Sequence, residues 1–158
     1  MSNDWRVLLA VEYIQIMQEH ETNFVPVIVS YDSDRDEKML VPCLTEMLSV
    51  SKDELPAFFV IHPFSDKVVK YEDKLDDPLT ISAQGILLWG RRTILYIEEE
   101  LFQKDIDEFE KKKADGETIE DGQEEKIEQA RKSLAAAQEE RDIVQELIDK
   151  EVERLLAQ

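Results

Sequence analysis

The chain has a single cysteine, Cys43, among its 158 residues. One thiol forms no internal disulfide, so nothing argues for an oxidising compartment. No stretch reaches the roughly 18 consecutive apolar residues of a membrane-spanning helix. A basic face is also missing. Asp and Glu number 37 against 19 Lys and Arg, for a net charge of -18, and Lys111-Lys112-Lys113 is the one basic cluster. Such a chain repels phosphate backbones, which argues against nucleic-acid binding and against anionic membrane surfaces. The start, Met1-Ser2-Asn3-Asp4-Trp5-Arg6, has no basic stretch ahead of its apolar residues, so it makes a poor signal peptide. Early Asp4, Glu12 and Glu19 make it a poor mitochondrial presequence. The expected location is cytoplasmic, with the endoplasmic reticulum left open if the sequence is a fragment. Motif chemistry is equally sparse. His20 and His62 sit at no metal-ligand spacing. No Ser-His-Asp set, Gly-rich phosphate loop or catalytic carboxylate pair can be assembled. No catalytic residue, cofactor or resident metal is expected.

What is present begins with an apolar content of 42%, enough for one core. Residues 4–19 read as a helix capped by Asn3 or Asp4, with an apolar arc so wide that it needs cover on several sides. Residues 24–31 form a continuous apolar run of the kind found in buried parallel strands. Asp32-Ser33-Asp34-Arg35-Asp36 is a turn whose carboxylates suit the start of the next helix. That helix covers residues 37–49, with Cys43 on its apolar side and Pro42 at a kink or in a first turn. Leu55-Pro56-Ala57-Phe58-Phe59-Val60-Ile61 then sets a proline before a β-type run, and a turn leads into Val68-Val69-Lys70-Tyr71. Asp76-Asp77-Pro78 is a break, with Thr80 as N-cap of a helix that takes in Ile81, Ile86, Leu87, Trp89, Ile94, Ile97 and Leu101.

Near Glu98 the character shifts. Residues 98–158 hold 21 acidic and 10 basic residues. Leu101, Phe102, Ile106 and Phe109 are spaced for helix, and Gly116 suits a left-handed C-terminal cap. Thr118 with Asp121 predicts a capping box for a second helix running to the end. Its seam is Ile127, Ala130, Leu134, Ala137, Val144, Ile148 and Leu155, a seven-residue spacing broken once, at Arg141. The pair reads as an antiparallel helical hairpin. The domains expected are therefore residues 1–97 and an acidic hairpin or coiled-coil extension at 98–158.

The order helix, strand, helix, strand, strand, helix over residues 4–97 resembles the later part of a thioredoxin fold, nearest to domains of protein disulfide isomerases. Leu55-Pro56-Ala57-Phe58 resembles the family's cis-proline segment. The spacing from Lys70-Tyr71 to Thr80 and Trp89 is similar to that between the family's last edge strand and final helix. The resemblance implies an α/β thioredoxin-like fold with its first core strand missing, and Pro56 as a structural cis-proline beside a peptide-binding groove. It does not extend to the dithiol. Ser2-Asn3-Asp4-Trp5 stands where Cys-x-x-Cys would be, and exchange chemistry needs both thiols.

Cys43 reads first as an inert small hydrophobe, with a reactive or partner-linked thiol as the alternative. Asp32-x-Asp34-x-Asp36 resembles the opening of a calcium loop but has Glu37 where Gly is required and Cys43 where Glu is required. The expected function is a noncatalytic, redox-inactive structural or adaptor subunit, not an enzyme. It would dock into a larger assembly through Phe102, Ile106, Phe109, Leu134, Val144, Ile148 and Leu155. Its partner would be a protein with a basic surface, and homo- or hetero-oligomers would form through the C-terminal helices. Two other readings stay open. One is a protein disulfide isomerase-like redox or chaperone domain whose dithiol lies upstream. The other is low-affinity, calsequestrin-like binding of Ca²⁺ by Asp32, Asp34, Asp36, Glu72, Asp73 and the C-terminal acids.

Overall fold

Residues 46, 48, 49, 58–62, 65–71 and 82–158 are described by the computed structural model. The helix expected over 4–19, the strand over 24–31, most of the helix over 37–49, Asp32, Asp34, Asp36, Cys43, Pro56, Glu72, Asp73 and Thr80 lie outside them. The chain divides into two units. One comprises Met1–Ile61 with Val68–Leu87, the other His62–Lys67 with Leu88–Gln158.

In the first unit, β1 (Phe59–Ile61) pairs with β2 (Val68–Lys70) in antiparallel register, Val60 opposite Val69 and Ile61 opposite Val68. Apart from Lys70, both strands are β-branched or aromatic, which suits a pleated, half-covered surface. The Tyr71 N–H donates to the Phe58 carbonyl at 2.9 Å and extends the ladder by one rung. Val60 and Tyr71 are buried, whereas the cross-strand pair Ile61 and Val68 is exposed. The alternation follows from the two-residue period of a strand.

The first turn of α1 (Ala83–Ala114) belongs to the same unit. Ser82 starts it. Its hydroxyl accepts a bond from the Gly85 N–H at 3.1 Å, and its carbonyl accepts from the Ile86 N–H at 3.1 Å. A side-chain cap of this kind stabilises a helix by about 1 kcal/mol. The cap therefore sits two residues beyond Thr80, the position that the sequence pattern predicts.

The second unit is dominated by two long helices, the remainder of α1 and α2 (Gln123–Leu156); the full elements have 32 and 34 residues. At 1.5 Å per residue each is about 50 Å long. They run antiparallel. Moving back along α1 from its end, Lys113 meets Glu124 at 3.6 Å, Glu110 meets Arg131 at 2.9 Å, and Glu99 meets Arg141 at 2.9 Å. Arg92 then bonds Gln145 at 2.9 Å. As one partner retreats along α1 the other advances along α2, which is the signature of a helical hairpin. Buried along the pair are Leu95, Ile97, Ile106 and Phe109 of α1, and Ile127, Ala137, Val144 and Ile148 of α2. Ile106, Phe109 and Ile127 form one cluster near the turn, packed by Ile119, Ala130 and Leu134.

The turn between the helices is set by glycine. The Gly116 N–H donates to the Lys113 carbonyl at 3.3 Å, and the Glu117 N–H to the Lys112 carbonyl at 3.1 Å. This is a Schellman cap, with Gly116 in the left-handed region at φ 71°. Nothing lies within 4 Å of a Cβ built there, so Gly116→Ala meets backbone strain alone. We expect it to cost about 1 kcal/mol, read as a lowered urea midpoint. The second helix starts later than the Thr118–Asp121 capping box predicts. Its N-cap is Gly122, at φ 84°, and no side chain caps it.

The thioredoxin-like fold class is overturned. Among the described residues the architecture is two long helices and one two-stranded sheet. The helix expected through Leu101 continues as one element to Ala114. The physical reason lies in spacing. Leu95, Phe102, Ile106 and Phe109 continue one face of α1 through residue 98, with no Pro or Gly to interrupt it. The proline-plus-strand pattern at 55–61 is local, and a plain hairpin at 59–70 satisfies it equally well.

Candidate functional site

Seven residues, Phe102, Ile106, Phe109, Leu134, Val144, Ile148 and Leu155, are expected from the sequence to bind a partner. Ile106, Phe109, Val144 and Ile148 are buried, and Phe102, Leu134 and Leu155 are half-buried. Val144 has 0% exposure. The buried four spend their apolar surface inside the chain and offer little of it to an outside partner.

The break in the seam has a physical purpose. Arg141 occupies a core-facing position on α2, and Glu99 occupies the matching one on α1 between Leu95 and Phe102. An Arg141 Nη donates to Glu99 Oε2 at 2.9 Å, with the Glu99 side chain 10% exposed. The guanidinium also lies 5.1 Å from the centre of the Tyr96 ring and 3.8 Å from Asp142. A cation over an aromatic face gains roughly 0.5–1 kcal/mol at a partly exposed site. Glu99 Oε1 is buried and has no hydrogen-bond partner. Sequence reading passes over Glu99, yet a signal was there: a carboxylate on the apolar face of one helix matched a lone arginine on that of the other.

Further along, Glu151 is also buried in the α2 seam. Arg154 holds it, with Nε donating to Oε2 at 2.9 Å. Near the first residues of the unit, Arg91 pairs with Glu140, and Lys67 pairs with Glu100. The turn carrying Lys67 is closed by the His62 N–H donating to the Lys67 carbonyl at 2.9 Å. Asp66 takes a left-handed φ of 52°, which a short polar side chain tolerates.

Glu98 lies among these groups. Partial burial raises its carboxyl above the usual value, His62 opposes the rise, and the Glu140 carboxylate adds to it. A raised pKa means the folded chain holds the Glu98 proton more tightly than the unfolded chain does. Its contribution to stability is therefore greatest at low pH and declines as pH rises through the carboxylate range. Glu98→Gln should remove that decline, so the variant gains on the native chain as pH rises. Paired urea titrations across the acidic range check this, and parallel pH profiles would refute it.

A shallow groove of about 500 Å³ runs beside the Glu99–Arg141 pair. Glu100, Asp107 and Glu108 line it together with Lys104 and half-buried Leu134. Its carboxylates are engaged: Glu108 with Lys104 at 3.9 Å, Asp107 with Gln103 at 2.8 Å, and Glu100 with Lys67. Among the described residues no three His, Cys, Asp or Glu side chains are arranged to hold a metal ion. No helix among them is long and apolar enough to cross a membrane.

What remains open to an outside partner is a different set of residues. Ile143 is 53% and Leu147 38% exposed on α2; Tyr96 on α1 and Leu156 at the end of α2 are also exposed. Ile143 and Leu147 stand one helical turn apart, so they form one patch. Each directly precedes a buried residue, Val144 and Ile148. A step of one residue on a helix is about 100° of rotation, so the patch flanks the covered seam. Seven-residue spacing selected the seam and passed over this patch.

No protein-family model, curated protein or solved structure matches the chain.

Proposed function

We propose that this chain is a noncatalytic structural or adaptor subunit that docks into a larger protein assembly through its C-terminal helical hairpin. The observation that carries the reading is the Ile143–Leu147 patch on a cross-braced helix pair. A rigid pair presents such residues at low entropic cost, because the backbone that carries them is already ordered. The seam residues Ile106, Phe109, Val144 and Ile148 support docking from within, by holding the two helices together. Phe102, Leu134 and Leu155, half-buried, border the surface.

The test is Ile143→Asp combined with Leu147→Asp in the full chain. Both side chains are exposed, so helical content by circular dichroism should stay as in the native chain. Sedimentation of the assembly from its native source should show the variant free of it. A variant that keeps native helicity and still sediments with the assembly would refute docking through this face.

A further inference from the structure

Resting on the docking reading, the charge pattern around the exposed pair says what kind of partner it fits. Residues 139–149 contain five carboxylates, at Glu139, Glu140, Asp142, Glu146 and Asp149, and one cation, Arg141. That cation is turned to the seam and engaged by Glu99. Ile143 has Glu139 and Glu140 one turn before it and Glu146 almost one turn after it. Residues at these spacings are surface neighbours on a helix. The patch is thus two branched apolar side chains with an acidic border, closed at its far end by exposed Lys150.

A second copy of this chain is a poor occupant. Isologous packing brings the same acidic border against itself, and like charges across an interface oppose association. We propose instead that the Ile143–Leu147 face receives an amphipathic helix of a protein partner whose apolar stripe is flanked by Lys or Arg. Two apolar anchors one turn apart are what helix-on-helix recognition reads. The acidic border supplies on-rate and selectivity, and the apolar pair supplies most of the affinity. Lys150 orients the partner, whose basic residues lie over Glu139 and Glu146, because Glu140 is engaged by Arg91.

Synthetic helical peptides test this with the full chain. The first probe carries a Leu stripe flanked by Lys. A second replaces Lys by Gln, a third replaces Lys by Glu, and a fourth keeps Lys but replaces Leu by Ser. Binding is followed by backbone amide shifts in near-physiological salt. The Lys–Leu peptide should shift residues 139–149, and Ile143→Ser with Leu147→Ser should weaken it at least about tenfold. The Glu peptide should bind at least about tenfold more weakly than the Lys one.

Shifts spread over every acidic face, unchanged in the double variant, would overturn the proposal as general charge attraction. Equal binding of the Lys–Leu and Lys–Ser peptides would do the same. Equal binding of the Lys and Gln peptides at 139–149 would overturn the basic partner and leave the docking reading standing. If no peptide reaches residues 139–149 while the Asp double variant still leaves the assembly, docking holds and the helical basic partner is wrong.

Discussion

Val144→Asp should abolish the hairpin, while Ile143→Asp, one residue earlier, should leave it folded. Val144 is fully covered and lies well inside α2, whereas Ile143 is 53% exposed. A carboxylate at 144 would be taken out of water with no cation assigned to it, since Arg141 is already engaged by Glu99. Burying an unpaired charge ranks among the largest single-residue penalties, and about 4 kcal/mol or more is expected here. The two long helices would lose their shared interior together, because their apolar contacts are mutual. At position 143 the carboxylate stays in water, and the cost should remain within roughly 0.5 kcal/mol. Urea unfolding followed by circular dichroism at 222 nm compares them. Equal loss in both variants would mean that burial does not separate the two positions.

The same contrast alters how a docking experiment must be built. Ile148 is 3% exposed, so Ile148→Asp would report on folding before it reported on a partner. The exposed neighbours Ile143 and Leu147 are the positions at which binding can be changed alone.

The hairpin was legible because helices advertise themselves locally. Ile127, Ala137, Val144 and Ile148 keep their spacing in the sequence and are buried in the structure. Gly116 was readable because only a residue without Cβ takes φ 71° without strain. The starts of the helices were less legible. Any Ser, Thr or Asp near a break is a plausible cap, and the backbone chose Ser82 and, with no side-chain bond, Gly122. The α/β fold class failed for a different reason. A sheet of several strands depends on pairings distant in sequence, and a proline before a short apolar run specifies only its own neighbourhood. The continuity of α1 through residue 98 was hidden by a change in charge, which marks a more solvated surface without ending a helix. The exposed pair was missed because periodicity ranks residues by the face they share. It does not register the apolar residues left just off that face.

Arg141→Met should be costly alone and nearly harmless when Glu99→Met accompanies it. In the native chain Glu99 is 8% exposed, its Oε2 held by Arg141 and its Oε1 unpartnered. Removing the guanidinium leaves a buried carboxylate with nothing opposite. Breaking a buried pair costs about 3–5 kcal/mol, and the 30% exposure of the Arg141 side chain places the expected loss toward about 2–3 kcal/mol. Replacing both partners by Met removes two desolvation costs and adds apolar contact beside Val144, so the double variant should return close to native stability. A double-mutant cycle in urea reads the difference as a positive coupling between positions 99 and 141. Additive losses, or no loss from Arg141→Met, would show that the pair is solvated and incidental. Stability is not the pair's main contribution if the coupling is found. A charged layer between otherwise apolar helices fixes which turn of one faces which turn of the other, as polar seam residues do in coiled coils. Sliding one helix past the other by a turn would separate Glu99 from Arg141 and strand both. The layer therefore holds α2 in the register that sets Arg141 opposite Glu99. The Met–Met variant should keep its helicity and stability, with the register then left to the Arg91–Glu140 and Arg131–Glu110 pairs.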